Sequence, residues 1–226
     1  MLRGHNWEKP SPSVDYRSGL LNPGPGDLPL LVLGQDGWGV IYSTQSICVL
    51  KGSTVELSCT YKYPSGHKVT STFWFTTKYT DGNPVNLSDD PDYRGRVRFR
   101  IDNKNSHTLI ITDLRESDSA EYEFRFITDQ SGGRWTGYPG VTLTVTDLQV
   151  KMTPATVSEG ETVTLTCITS CPLTDNPTYI WYKNEQPVRG DTSSLYVNYI
   201  SDADSYSCGV KGLENFRSPA VYYLFL

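Results

Sequence analysis

Val163-Thr164-Leu165-Thr166-Cys167 alternates apolar and polar residues, Trp181 follows fourteen positions after the cysteine, and Asp202-x-Asp204-x-Tyr206-x-Cys208 ends the series. Period-two alternation on a strand sends one set of side chains inward. Two inward cysteines on facing sheets can bridge a thin core, and an indole packs against the bridge. A tyrosine two residues before the second cysteine can tie its strand to the preceding turn. The segment therefore predicts an antiparallel sandwich with a Cys167–Cys208 disulfide, Trp181 in its core and Tyr206 at its corner. Outward from it, β-rich runs recur between turn signals such as Lys51-Gly52-Ser53, Pro64-Ser65-Gly66, Asp81-Gly82-Asn83 and Glu159-Gly160-Glu161. Helical periodicity is absent, which predicts an all-β chain.

The N-terminal half repeats the plan. Val55-Glu56-Leu57-Ser58-Cys59 matches the first strand, Trp74 comes fifteen residues later, and Asp118-x-Ala120-x-Tyr122 recreates the corner. Phe124 stands at the place of the second cysteine, so the usual sheet-to-sheet bridge cannot form. Cysteine, tryptophan and corner tyrosine at these spacings are the signature of an immunoglobulin-type sandwich. The expected fold class is two tandem immunoglobulin-like antiparallel β-sandwiches, a V-set unit over 35–146 and a C2-set unit over 147–226. The longer first unit leaves room for the additional strands of a variable-type domain, and Arg96 is placed to pair with Asp118 at its base. Val141-Thr142-Leu143-Thr144-Val145-Thr146 runs into Asp147-Leu148-Gln149-Val150 without a Gly, Ser or Pro spacer, predicting a stiff junction. Residues 1–34 are Pro/Gly-rich and end in Leu28-Pro29-Leu30-Leu31-Val32-Leu33, a run too short to span a bilayer. They read equally as the remnant of a secretory leader or as a disordered extension.

The charge count, 20 Lys+Arg against 25 Asp+Glu for a net −5, provides no basic field for a phosphate backbone and argues against nucleic acid as a partner. His5, His67 and His107 are scattered, and no zinc-ligand spacing, nucleophile elbow or phosphate-binding loop is present. A binding module without metal or cofactor is expected rather than an enzyme. Five cysteines without a histidine cluster fit an oxidising compartment, at the cell surface or secreted, with any membrane anchor outside this chain. Once Cys167 and Cys208 pair, side-chain direction favours Cys48–Cys171 across the junction, because Cys59 points into the first core and remains a free thiol. A Cys59–Cys171 pair, or two reduced thiols, are the alternatives.

Parity also locates a candidate binding residue. If Phe124 faces inward, Arg125 projects outward from its strand, and Phe73 and Phe75, which flank the inward Trp74, share that exposure. A guanidinium can grip a carboxylate through two parallel hydrogen bonds while aromatic neighbours exclude water, so a small acidic ligand is the natural guest. The alternative is a solvated strand arginine paired with a cross-strand acid. Asn86-Leu87-Ser88 is the sole glycosylation sequon, since Pro177 disqualifies Asn176. Arg94, Arg96, Arg98 and Arg100 alternate and read as a strand face away from Arg125.

Three stretches carry a family resemblance: Gln35-Asp36-Gly37-Trp38-Gly39-Val40, Tyr122-Glu123-Phe124-Arg125-Phe126 and Gly132-Gly133-Arg134-Trp135. Together they resemble the sialic-acid-binding immunoglobulin-type lectins over roughly 35–226. The resemblance implies that Arg125 bridges the sialic acid carboxylate, that Trp38 packs on the N-acyl group and that Trp135 packs on the glycerol chain. Backbone groups at Thr136 would hydrogen-bond the sugar, with Ser131 a weaker contact. It also implies an interdomain bridge, which Cys48 and Cys171 fit. The family's first-domain bridge within one sheet is lost, because His107 stands near the partner cysteine's place. Expected partners are sialylated glycans on glycoproteins or glycolipids, bound weakly one at a time and tightly when clustered. The competing expectation is an immunoglobulin-type receptor whose aromatic face, with Arg125 at its centre, binds a protein.

Overall fold

The computed structural model describes residues 37–154, 162–171, 173, 177–201 and 203–222. The expectations for residues 1–34, for Gln35 and Asp36, and for Asp202 in the second corner lie outside them. The first sandwich comprises β1 (Gly39–Tyr42), β2 (Ser46–Leu50), β3 (Val55–Lys62), β4 (Val69–Thr80), β5 (Asn83–Asn86), β6 (Val97–Asn103), β7 (Ser106–Ile111), β8 (Ala120–Thr128), β9 (Arg134–Thr136) and β10 (Val141–Thr146). One sheet runs β1-β3-β7-β6, and the other runs β2-β10-β8-β4-β5 with β9 also paired to β8. The β2–β10 pair is parallel and the remaining pairs are antiparallel.

Strict alternation explains why β3 lies where it does: Val55, Leu57, Cys59 and Tyr61 are buried, while Glu56 and Thr60 face solvent. The core closes around Trp74, Tyr122, Phe124 and Phe126, all fully buried. Phe124, where a bridging cysteine would stand, packs its ring against Trp74 at 5.4 Å, Tyr61 at 5.4 Å and His107 at 5.1 Å. Aromatic packing thus fills the space a cross-sheet disulfide would occupy. At the base, Arg96 makes two hydrogen bonds to Asp118, of 2.7 and 2.8 Å, both groups buried. Asp118 also accepts from the Arg115 backbone, and the Tyr122 hydroxyl donates to the Asp118 carbonyl at 2.7 Å. A buried pair with this many satisfied lone pairs locks the turn that launches β8.

The second sandwich has one sheet of β11 (Gln149–Thr153), β12 (Val163–Ile168) and β15 (Ser194–Val197). The other holds β14 (Gln186–Val188), β13 (Tyr179–Lys183), β16 (Ser205–Val210) and β17 (Val221–Tyr222) in that order. Cys167 and Cys208 are disulfide-bonded beside the buried Trp181, and Tyr206 lies in the same core. Cys48 and Cys171 form the second disulfide, and Cys59 is a buried free thiol.

Contacts at the junction go beyond that bridge. Leu50, at the end of β2, packs into the core of the second sandwich together with Leu148. Lys51 pairs with Asp147 at 3.2 Å, and Thr146 and Ser170 share a hydroxyl hydrogen bond of 2.8 Å. Gly52, at φ +80°, lies so close under the Phe216 ring that a Cβ there would overlap the ring carbons. These contacts brace the two sandwiches from several sides.

Candidate ligand-binding face

The alternation of β8 decides what Arg125 can do. Tyr122, Phe124, Phe126 and Thr128 are buried, so Glu121, Glu123, Arg125 and Ile127 rise from the outer face of the sheet, each half-buried. Arg125 stands opposite Phe73 of β4 on one side and Thr136 of β9 on the other. Its Nε donates to Thr136 Oγ1 at 2.7 Å, and its guanidinium carbon sits 5.2 Å from the centre of the Phe75 ring. One edge of the fork is thereby tethered and one face is seated on an aromatic ring, while Nη1 and Nη2 donate to no side chain or carbonyl among the described residues. No ion pair reaches Arg125 among those residues, which leaves the cross-strand-acid alternative without a partner.

Electrostatics match the geometry. Burial pushes the pKa of Arg125 down, with Arg134 adding to the shift and Tyr79 and Glu123 opposing it. The guanidinium still carries its charge, because no ordinary burial deprotonates arginine. Glu123 is pushed up, first by burial and then by Glu121, against the pull of Arg125. Arg134 is opposite Ile127, so it shares the outer face with Arg125. A charged fork that is half desolvated and makes no ion pair among the described residues can capture a carboxylate.

Two expectations need correction. Phe75 does lie on the Arg125 face, yet it is fully buried, because the Arg125 guanidinium, Phe73 and the edge of Tyr79 cover it. It is a floor under the arginine and not an exposed wall. The second correction concerns the indoles. Trp135 is opposite Phe126, a fully buried core residue, so its side chain lies on the face of the sheet away from Arg125. Trp38 stacks on Phe126 at 5.6 Å and on Trp135 at 6.3 Å, with His67 meeting it edge-on at 4.8 Å. Both indoles are half-buried and pack on the core. The pair therefore closes one end of the sandwich and does not flank the arginine.

Of the remaining expected contacts, Thr136 is brought to Arg125 through its hydroxyl, and Ser131 is exposed in the turn between β8 and β9. Asn86, at the end of β5, is half-buried, with its Oδ1 accepting from the Ser88 amide at 3.1 Å. The alternating arginines do not act alike. Arg96 is buried in its pair with Asp118, whereas Arg100 grips Glu56 and Asp102 on the surface of the opposite sheet.

Sequence reasoning missed Tyr42. Its hydroxyl accepts from the Phe124 amide at 2.8 Å and donates to the Gly137 carbonyl at 2.9 Å. It pins β8 one residue before Arg125 to the segment that follows β9. Burial raises its pKa far above the ordinary tyrosine value, so it remains a neutral donor. No local sequence signal marks such a contact, because its partners lie 82 and 95 residues away.

Two sandwiches, the second with a disulfide-bridged core, make this a chain of two tandem immunoglobulin-like domains. Residues 49–148 match the family model described as B-cell receptor CD22-like, first Ig-like, and residues 147–217 match the immunoglobulin domain model. The two matches support a CD22-like N-terminal arrangement followed by a second immunoglobulin domain. A solved structure of murine CRIg is 17% identical and covers 50% of this chain and 98% of that chain, with a TM-score of 0.38. Among the described residues, no helix is long and apolar enough to cross a membrane.

Proposed function

We propose that this chain is the recognition part of a cell-surface receptor that captures a carboxylate-bearing ligand, a sialylated glycan, at Arg125. The observation that carries the reading is a half-buried guanidinium held at Nε by Thr136, seated on Phe75, and engaged in no ion pair among the described residues. Two parallel hydrogen bonds from the fork to a carboxylate supply both orientation and charge neutralisation. The first sandwich binds and the second, braced at the junction, spaces it. The CD22-like match of the first domain adds support for a receptor role, and the immunoglobulin families matched are typically receptor or adhesion modules.

The test is a sialylated glycan array probed with wild type, with Arg125→Ala and after sialidase. Binding that disappears in both controls is expected. Binding that survives both overturns the reading.

A protein ligand is the second reading, and one specific observation favours it. Trp38 and Trp135 pack on the core, so a sugar at Arg125 would lack the two indole walls that the sequence resemblance implies. In that case Arg125 and Tyr79, the latter 55% exposed, would be contact residues of a flat interface. Arg125→Ala would then weaken binding that sialidase leaves intact.

A further inference from the structure

Strand β6 is the last strand of its sheet, and among the described residues no strand pairs with its outer edge. Phe99 and Ile101 stand opposite Leu109 and His107 of β7, both buried, so their side chains point to the core side of the sheet. Phe99 is nevertheless 42% exposed and Ile101 65%, because β6 forms the rim of the sandwich. The other side of the strand is charged. Arg100 binds Glu56 and Asp102 of its own chain, and the Asp102 carboxylate also accepts from Thr108, the residue opposite Arg100. Arg98 is exposed and makes no ion pair among the described residues.

One hydrogen bond fixes the direction of the backbone groups. The Thr112 amide donates to the Arg96 carbonyl at 2.9 Å, and bonded and non-bonded pairs alternate along an antiparallel ladder. Arg98 and Arg100 therefore turn their amides and carbonyls toward β7, while Phe99 and Ile101 turn theirs to the open edge. Laid against itself in the reverse direction, this strand is complementary. With Arg100 on a twofold axis, Phe99 meets Ile101 of the second copy and Arg98 meets Asp102 of the second copy, each contact occurring twice. The outward backbone groups of Phe99 and Ile101 then fall into the hydrogen-bonded pairs, and the exposed apolar side chains cover one another. The two central Arg100 groups are each already neutralised within their own chain. Moving the axis by one residue sets Arg98 against Arg100 in one direction and against Lys104 in the other, so charge selects a single register.

We infer that β6 is a self-association edge, at which two copies of this chain pair antiparallel about Arg100 and join two four-stranded sheets into one. A register shift after Ile101 ends the regular ladder, so the contact is short and association in solution is weak. Clustering of copies on a surface supplies the rest. Arg125 belongs to the other sheet, and its face stays open in both copies. The strands leading to the second sandwiches run in opposite directions, which suits copies approaching from opposing surfaces.

The experiment measures self-association of the whole chain by sedimentation equilibrium from micromolar to millimolar concentration. A weak dimer is expected. Arg98→Asp should weaken it by about tenfold or more, because two like-charge contacts replace two opposite-charge ones. Arg98→Lys should weaken it far less, and Arg125→Ala should leave it as in wild type. Arg100→Cys tests the register independently of affinity, since residues facing across the axis lie about 4.5 Å apart at Cα, within disulfide range. Mild oxidation should link the introduced thiol to its own counterpart, whereas Arg98→Cys, which faces Asp102, should give no such link. A chain that stays monomeric throughout overturns the inference and leaves the edge to a different occupant. A dimer indifferent to Arg98→Asp, or one in which Arg100→Cys forms no link, places the contact elsewhere and overturns it as well.

Discussion

Cys59 and His107 stand directly opposite each other on β3 and β7, both buried in the core of the first sandwich. Burial pushes the Cys59 thiol far up from its ordinary value and pushes the His107 imidazole down. A thiol kept protonated in this way is a poor nucleophile and behaves as a small apolar side chain. The pair occupies a position where two cysteines would meet the Cα spacing of a disulfide, since opposed residues on antiparallel strands lie about 4.5–5.5 Å apart.

His107→Cys should therefore close a bridge between Cys59 and the introduced thiol under oxidising conditions. A bridge over a loop of this length is worth about 2–4 kcal/mol in the chain-entropy account. Non-reduced peptide mapping should find the new linkage and calorimetry a higher Tm. Two free thiols with an unchanged Tm would show that the strands cannot bring the sulfurs together.

The same histidine makes a pH prediction. Its folded pKa is depressed, chiefly by burial, with Asp102 opposing. Below the unfolded value of about 6.5 the unfolded chain takes up a proton that the folded chain refuses, so acidification favours unfolding. The His107 contribution to the stability of the first sandwich should be complete above the unfolded value of about 6.5 and be lost as pH falls from there toward the depressed folded value. His107→Gln should flatten that slope in urea titrations at several pH values. A slope that survives the substitution would assign it to another group.

Gly52 and Phe216 brace the junction. Gly52→Ala drives a Cβ into the ring at a backbone φ of +80°. A cost on the order of 1–3 kcal/mol is expected from overpacking and left-handed strain together. Adding Phe216→Ala should recover the overpacking part, and a double-mutant cycle in urea measures that coupling. Simple additivity would mean that the two residues do not meet in solution.

Thr136→Val tests the tether on Arg125. Loss of the 2.7 Å hydrogen bond should change stability by about 1 kcal/mol or less, because the site is half-buried. Capture of a carboxylate probe should weaken by about fivefold as the fork loses its fixed orientation. Titration by NMR of wild type and variant compares the two effects. Unchanged affinity would show that the hydroxyl does not orient the guanidinium.

Inward alternation in β3, β8 and β12, the paired Cys167 and Cys208, the buried tryptophans Trp74 and Trp181 and the outward direction of Arg125 were all legible from residue spacing. Each depends on contacts close in the chain or on period-two parity, and parity cannot drift within one strand. The face of Trp135 was not legible. It depends on how the turn after Thr128 sets the register of β9, and a slip of one residue there reverses every side chain. The burial of Phe75 and the Tyr42 bridge were equally hidden, since both arise where distant strands cover one another. Spacing along the chain thus determined two sandwiches and the side on which the arginine stands. Only the packed structure decided that the indoles close the core and that an aromatic floor lies beneath the guanidinium.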